Sequence, residues 1–127
     1  MPPINVDLSD ALRDPLPAGS VVRLRVEGCK QETASTGTLM AVWDFIVTDP
    51  MEDDPRHVFD NTMLTGPGKF RTGLLLTALG VPFGKQRPDL NGGFDEMECH
   101  GREVRASLDV EEYEGRKKNT VNKYMPL

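Results

Sequence analysis

The chain has 127 residues, of which 38% are hydrophobic and 28% charged, which suits one domain that buries its own core. No apolar run approaches the roughly 20 residues of a membrane helix, and no basic-then-apolar export pattern opens the chain. A cytosolic protein without a membrane partner is therefore expected, with Cys29 and Cys99 as reduced thiols. The net charge of −5 weighs against a polyanion partner, but the charges are segregated. Residues 49–68 carry five acids against one base, and residues 91–115 carry eight acids against two bases. Residues 69–90 carry four bases against one acid, and residues 116–127 carry four bases and no acid. Such segregation can build a basic groove on an acidic protein.

In chain order, residues 1–20 read as an N-terminal arm. Pro2, Pro3, Pro15 and Pro17 interrupt it, and only Leu8, Ala11 and Leu12 suggest a helical turn. A single domain is expected over residues 21–127. Its first strand runs from Val21 to Glu27, with Val22, Leu24 and Val26 on one face and Arg23, Arg25 and Glu27 on the other. Ser35-Thr36-Gly37 makes a turn, and Thr38 to Thr48 form a second strand. Leu39, Ala41, Trp43, Phe45 and Val47 share one of its faces. Met40, Val42, Asp44 and Ile46 share the other, where Asp44 marks partial exposure.

A third strand spans His57 to Leu64, and Phe59 reads mostly as core. Lys69 to Leu79 predicts a helix with Phe70, Leu74, Ala78 and also Leu75 on its core stripe, stopped by Gly80 and Pro82. Residues 84–99 are rich in Gly, Pro and Asp and read as loop. The chain closes on a hairpin in which Val104, Ala106, Leu108 and Val110 alternate with Glu103, Arg105, Ser107 and Asp109. Gly115 turns it, and a fifth strand returns through Thr120, Val121 and Tyr124. Three strands, a helix and two strands predict a mainly β fold: a five-stranded OB-fold-like barrel with one helix between strands three and four.

No active site is legible. His57 and His100 stand far apart, and neither Cys29 nor the Cys99-His100 pair has the second short spacing that a zinc site uses. Gly66-Pro67-Gly68-Lys69 lacks the leading glycine and the following Ser or Thr of a phosphate-binding loop. Asp53-Asp54 and Glu111-Glu112 are consecutive pairs, which point to opposite faces of a strand and make no acid/base dyad. Neither a metal nor any other cofactor is expected.

The closing hairpin carries the functional signal. Arg116, Lys117, Lys118 and Lys123 lie beside Tyr113 and Tyr124, and a cationic loop flanked by rings suits the phosphates and bases of single-stranded nucleic acid. Both tyrosines fall out of phase with Val110 and Val121. Arg23 and Arg25 extend the cationic surface, because in a five-stranded barrel the first strand adjoins the fourth, which bears Arg105. Trp43 is either a core residue or a third stacking ring.

The succession Leu16-Pro17-Ala18-Gly19, Val21 to Val26, Thr38 to Val47, Phe59-Asp60-Asn61, Ala78-Leu79-Gly80 and Gly101 to Val104 is completed by Tyr113-x-Gly115-x-x-x-Asn119-x-Val121-x-x-Tyr124. Over residues 16–126 it resembles a family of small bacteriophage proteins, long catalogued as a domain of unknown function, that are similar to phage single-stranded-DNA-binding proteins. The resemblance implies an OB-fold and a place in phage DNA replication or recombination, in the cytoplasm of the bacterial host. Many phage single-strand binders end in an acidic, partner-recruiting tail, whereas this chain ends Lys123-Tyr124-Met125-Pro126-Leu127.

The expectation is thus a non-enzymatic, sequence-tolerant binder of single-stranded DNA that could also meet phage replication or recombination proteins, or a second copy of itself. Its surface comprises Arg23, Arg25, Trp43, Arg105, Tyr113, Arg116, Lys117, Lys118, Lys123 and Tyr124. The rival expectation is a β-barrel adaptor of a phage that binds protein and no nucleic acid, favoured by the acidic segments at 49–54 and 95–114.

Overall fold

The computed structural model describes residues 3–4 and 14–127, apart from the side chain of Tyr113. The helical turn expected among Leu8, Ala11 and Leu12 lies outside the described residues. Five strands, β1 (Val21–Thr33), β2 (Leu39–Asp49), β3 (His57–Met63), β4 (Glu103–Tyr113) and β5 (Arg116–Met125), form one sheet in the order β3-β2-β1-β4-β5. Every neighbouring pair is antiparallel. The fold is therefore mainly β, but the expected closed barrel is corrected: β3 and β5 are the two edges, and no ladder of backbone hydrogen bonds joins them. Side chains span that seam instead. Arg71 donates to Asp60 Oδ2 on β3 at 2.6 Å and to the Val121 carbonyl on β5 at 2.9 Å, and Tyr124 on β5 donates its hydroxyl to the same Asp60 oxygen.

The single helix expected between the third and fourth strands is corrected as well. Helix α1 (Lys69–Leu79) is followed by 3-10 turns at Gly84–Gln86 and Pro88–Leu90 and by a short helix α2 (Glu96–Cys99), within the stretch read as loop. Gly80 ends α1 at φ 77°, a left-handed position that glycine takes without strain. Asp95 caps α2 by accepting from the Met97 amide at 2.9 Å. Arg87 ties these segments together through Asp89 at 3.2 Å and Glu98 at 2.5 Å. No helix among the described residues is long and apolar enough to cross a membrane.

The core lies between the inner face of the sheet and α1. Val22, Leu24 and Val26 of β1 meet Trp43, Phe45 and Val47 of β2, Val58 of β3, and Val104, Ala106 and Leu108 of β4. Two breaks in pairing shape this face. Between Val26 and Gly28 the register of β1 on β2 shifts, so Cys29 opposes Trp43 while Val26 opposes Phe45. On β5, Asn122 is the extra residue between Lys123, opposite Ser107, and Val121, opposite Leu108. This bulge lets Val121 and Tyr124, three positions apart, both point inward.

Helix α1 buries Thr72, Leu75, Leu76 and Leu79, and the expected core stripe is wrong for two residues: Phe70 is 71% exposed and Leu74 67% exposed. The end of the N-terminal arm is pinned to the sheet. Asn119 accepts from the Leu16 amide at 2.9 Å and donates to its carbonyl at 2.8 Å, and Arg56 donates to the Asp14 carbonyl at 2.7 Å.

Candidate nucleic-acid interface

Register places the outer face of the sheet residue by residue. Arg23 lies opposite Arg105, which lies opposite Met125; Val21 lies opposite Ser107, which lies opposite Lys123. Further along β4 and β5 the same face carries Glu111 opposite Lys118 and ends at Arg116. Toward the other edge it carries Arg25, Ile46 and His57 in one row, and Gly28, Asp44 and Phe59 in the next. The tips of the β1–β2 and β4–β5 hairpins bound this face at opposite ends.

The cations on it fall into two groups. Arg23 pairs with Glu103 at 3.4 Å, Arg25 with Glu27 at 2.9 Å and Lys30 with Glu32 at 2.9 Å. Such exposed pairs contribute only about 0–1 kcal/mol each, so a phosphate can exchange for the carboxylate at little cost. Arg105, Arg116, Lys118 and Lys123 are exposed and form no ion pair with any described residue. Lys117 is exposed too, but it opposes Glu112 and so projects from the other side of the ribbon. The cationic hairpin is thereby divided between two faces.

Two of the three candidate rings lie in the interior. Trp43 is 0% exposed: it stacks between Phe45 and Phe94, each at 6.0 Å between centroids, and its indole N–H donates to Thr62 Oγ1 at 2.8 Å. It is a core residue and cannot stack on a base. Tyr124 is 9% exposed, packs on Phe45 at 5.9 Å and has the Arg71 guanidinium 5.2 Å above its ring. It too belongs to the interior, because the bulge at Asn122 turns it inward. Burial, then the neighbouring Asp60 charge, pushes its phenol well above the usual range, so it stays a donor. For Tyr113 only the backbone is described, paired with Arg116.

On the outer face of the sheet, the exposed ring is one that the sequence reading placed in the core. Phe59 is 59% exposed and stacks on His57, with centroids 6.0 Å apart and planes 14° from parallel. His57 Nδ1 lies 2.8 Å from Asp44 Oδ1, which orients the imidazole, and the exposed Asn61 follows Phe59 on the same face. The two-residue period of β3 contained the signal: Val58 and Thr62 point inward, so Phe59 must point outward. Asp60 obscured it by occupying an inward position, where Arg71 and Tyr124 satisfy its carboxylate.

Phe59 and Arg105 lie on the order of 20 Å apart over this surface, from a strand spacing of about 4.8 Å and a rise of about 3.3 Å per residue. Aromatic faces lie at one side of this surface and cations without an ion-pair partner among the described residues at the other, with Asp44, Glu103, Asp109 and Glu111 interspersed. Among the described residues no cluster of three or more His, Cys, Asp or Glu is placed to hold a metal ion. The chain matches no known protein-family model, and no curated protein matches it.

Proposed function

We propose that this chain is a sequence-tolerant single-stranded-DNA-binding protein that acts by binding alone. The observation that carries this reading is the exposed Phe59–His57 ring pair on the same sheet face as Arg105, Arg116, Lys118 and Lys123. Phosphates would be neutralised along β4 and β5, and bases would stack at β3, where every base offers a π-face regardless of sequence. The succession of β1, β2, β3, α1, β4 and β5 supports an OB-type relationship, with the Asp60–Arg71–Tyr124 knot standing where a closed barrel would pair its edges. The resemblance to phage proteins supports a role in phage DNA replication or recombination in the host cytoplasm.

Fluorescence anisotropy of a dye-labelled oligo-dT strand, titrated at several salt concentrations, tests the reading. Intrinsic tryptophan emission is a poor reporter, because Trp43 is buried. With about four phosphates neutralised at roughly 0.7 each, log affinity should fall against log salt with a slope near −3. Unlabelled duplex should compete weakly. Absence of binding at low salt, or affinity indifferent to salt, overturns the proposal.

A further inference from the structure

A cleft of about 1240 Å³ opens between the inner side of the β1–β2 hairpin, helix α1 and the 83–96 segment. Leu39, Ala41 and Leu64 form one wall, Phe83 and Phe94 the other, and Phe70 and Leu74 its rim on α1. Phe70 and Leu74 are one helical turn apart and stand out from the body, on the helix side opposite the buried Leu75, Leu76 and Leu79. Gly73 precedes Leu74, and the Phe83 ring packs against it, 3.5 Å from where a side chain would begin, so the 83–96 segment sits close against α1. An apolar ridge and an apolar hollow thus sit side by side on one face.

A foreign partner would have to supply both a hollow and a ridge of matching spacing. A second copy of this chain has both, and a twofold axis presents them to each other reciprocally. Charge agrees with that arrangement. Lys69 stands at the start of α1 near Leu64, whereas Asp95 and Glu96 stand at the far end of the cleft beside Phe94 and Cys29. Neither Lys69 nor Glu96 forms an ion pair with a described residue. Lys69 and Glu96 both line the cleft, so a twofold contact across it can set each Lys69 against the Glu96 of the other copy.

We infer that the α1 ridge and its cleft are the self-association surface of this protein, a twofold dimer in which Phe70 and Leu74 of each copy fill the cleft of the other. The inference does not depend on DNA binding, since Phe59, Arg105 and Lys123 project from the outer face of the sheet. A dimer built this way leaves both outer faces open.

Sedimentation velocity from micromolar to hundreds of micromolar protein tests it. The wild type should shift with concentration from 14.1 kDa toward twice that mass. Phe70→Glu and Leu74→Glu should stay monomeric and melt as the dilute, monomeric wild type does, because both side chains are exposed in the single copy. Lys69→Glu and Glu96→Lys should each weaken dimerisation by roughly tenfold, and the double swap should restore it. A wild type that is monomeric throughout, an F70E dimer, or a double swap that does not recover overturns the inference. So does a monomer whose cleft captures a different protein through Phe70.

Discussion

Tyr124 on β5 and Asp60 on β3 share a hydrogen bond across the seam of the sheet that no backbone ladder closes. Arg71 joins them from α1, so one carboxylate holds together two edges and a helix. Tyr124→Phe keeps the ring contacts with Phe45 and Arg71 but leaves Asp60 one donor short. A hydrogen bond to a charged group contributes about 1.5–3 kcal/mol, and urea denaturation should show a loss in that range. Asp60→Ala removes both contacts at once and should cost somewhat more than Tyr124→Phe, though less than stranding a fully buried charge, because Arg71 is 35% exposed and keeps the Val121 carbonyl. If both variants unfold with the wild-type midpoint, the seam is held by packing alone.

The same knot sets an alkaline limit. The Tyr124 phenol is raised by burial and then by Asp60, and burial pushes the Cys29 and Cys99 thiols up to about 12 from 9.0. All three groups hold their protons more tightly folded than unfolded. Their contribution is full below the unfolded values and is lost as pH rises, at up to about 1.4 kcal/mol per pH unit for each group. Stability measured from about pH 8 to about pH 11 should therefore start to fall near pH 9 as the thiols enter and steepen past about pH 10 as the tyrosine joins. Tyr124→Phe should remove the second limb and spare the first.

Phe59→Ala should separate binding from folding. The side chain is 59% exposed, so stability should change by no more than about 0.5 kcal/mol. Affinity for oligo-dT should fall by about 1–3 kcal/mol, the contribution of one stacked base. Trp43→Phe should do the reverse: a buried Thr62 hydroxyl loses its donor, costing about 1–3 kcal/mol of stability, while the folded variant binds as the wild type does. Equal affinity losses for F59A and W43F would place the DNA elsewhere.

The contrast between Phe59 and Trp43 shows what alternation reveals and what it hides. Strand positions and the inward set Val22, Leu24, Trp43, Phe45 and Leu108 were readable, because hydrophobic side chains at period two demand a covered face. The polar ends of the strands, Lys30 to Thr33 and Glu111 to Tyr113, were not, because hairpin pairing and not burial extends them. The inward turn of Tyr124 depends on one extra residue at Asn122, which no local pattern announces. Asp60 is a charge at a core position that Arg71 and Tyr124, both from other elements, make tolerable. Phe70 and Leu74 look like core until the docking of α1 through Leu75, Leu76 and Leu79 leaves them outside. The misses at Asp60, Phe70 and Leu74 are tertiary: the neighbour that decided each came from elsewhere in the chain.

The closing hairpin offers the most local test, since Lys117 and Lys118 are adjacent and chemically identical. Lys118 opposes Glu111 on the face shared with Arg105 and Lys123, and Lys117 opposes Glu112 on the reverse. If the outer face carries the strand, Lys118→Glu should lower affinity and make the salt slope shallower by about 0.7, the loss of one phosphate contact. Lys117→Glu should leave the slope near its wild-type value, although it changes the net charge equally. A general electrostatic attraction would treat the two alike, because it follows the net charge, which both substitutions change equally. Equal slopes for the two variants would therefore mean that DNA senses the charge of the tip and makes no docked contact with its outer side.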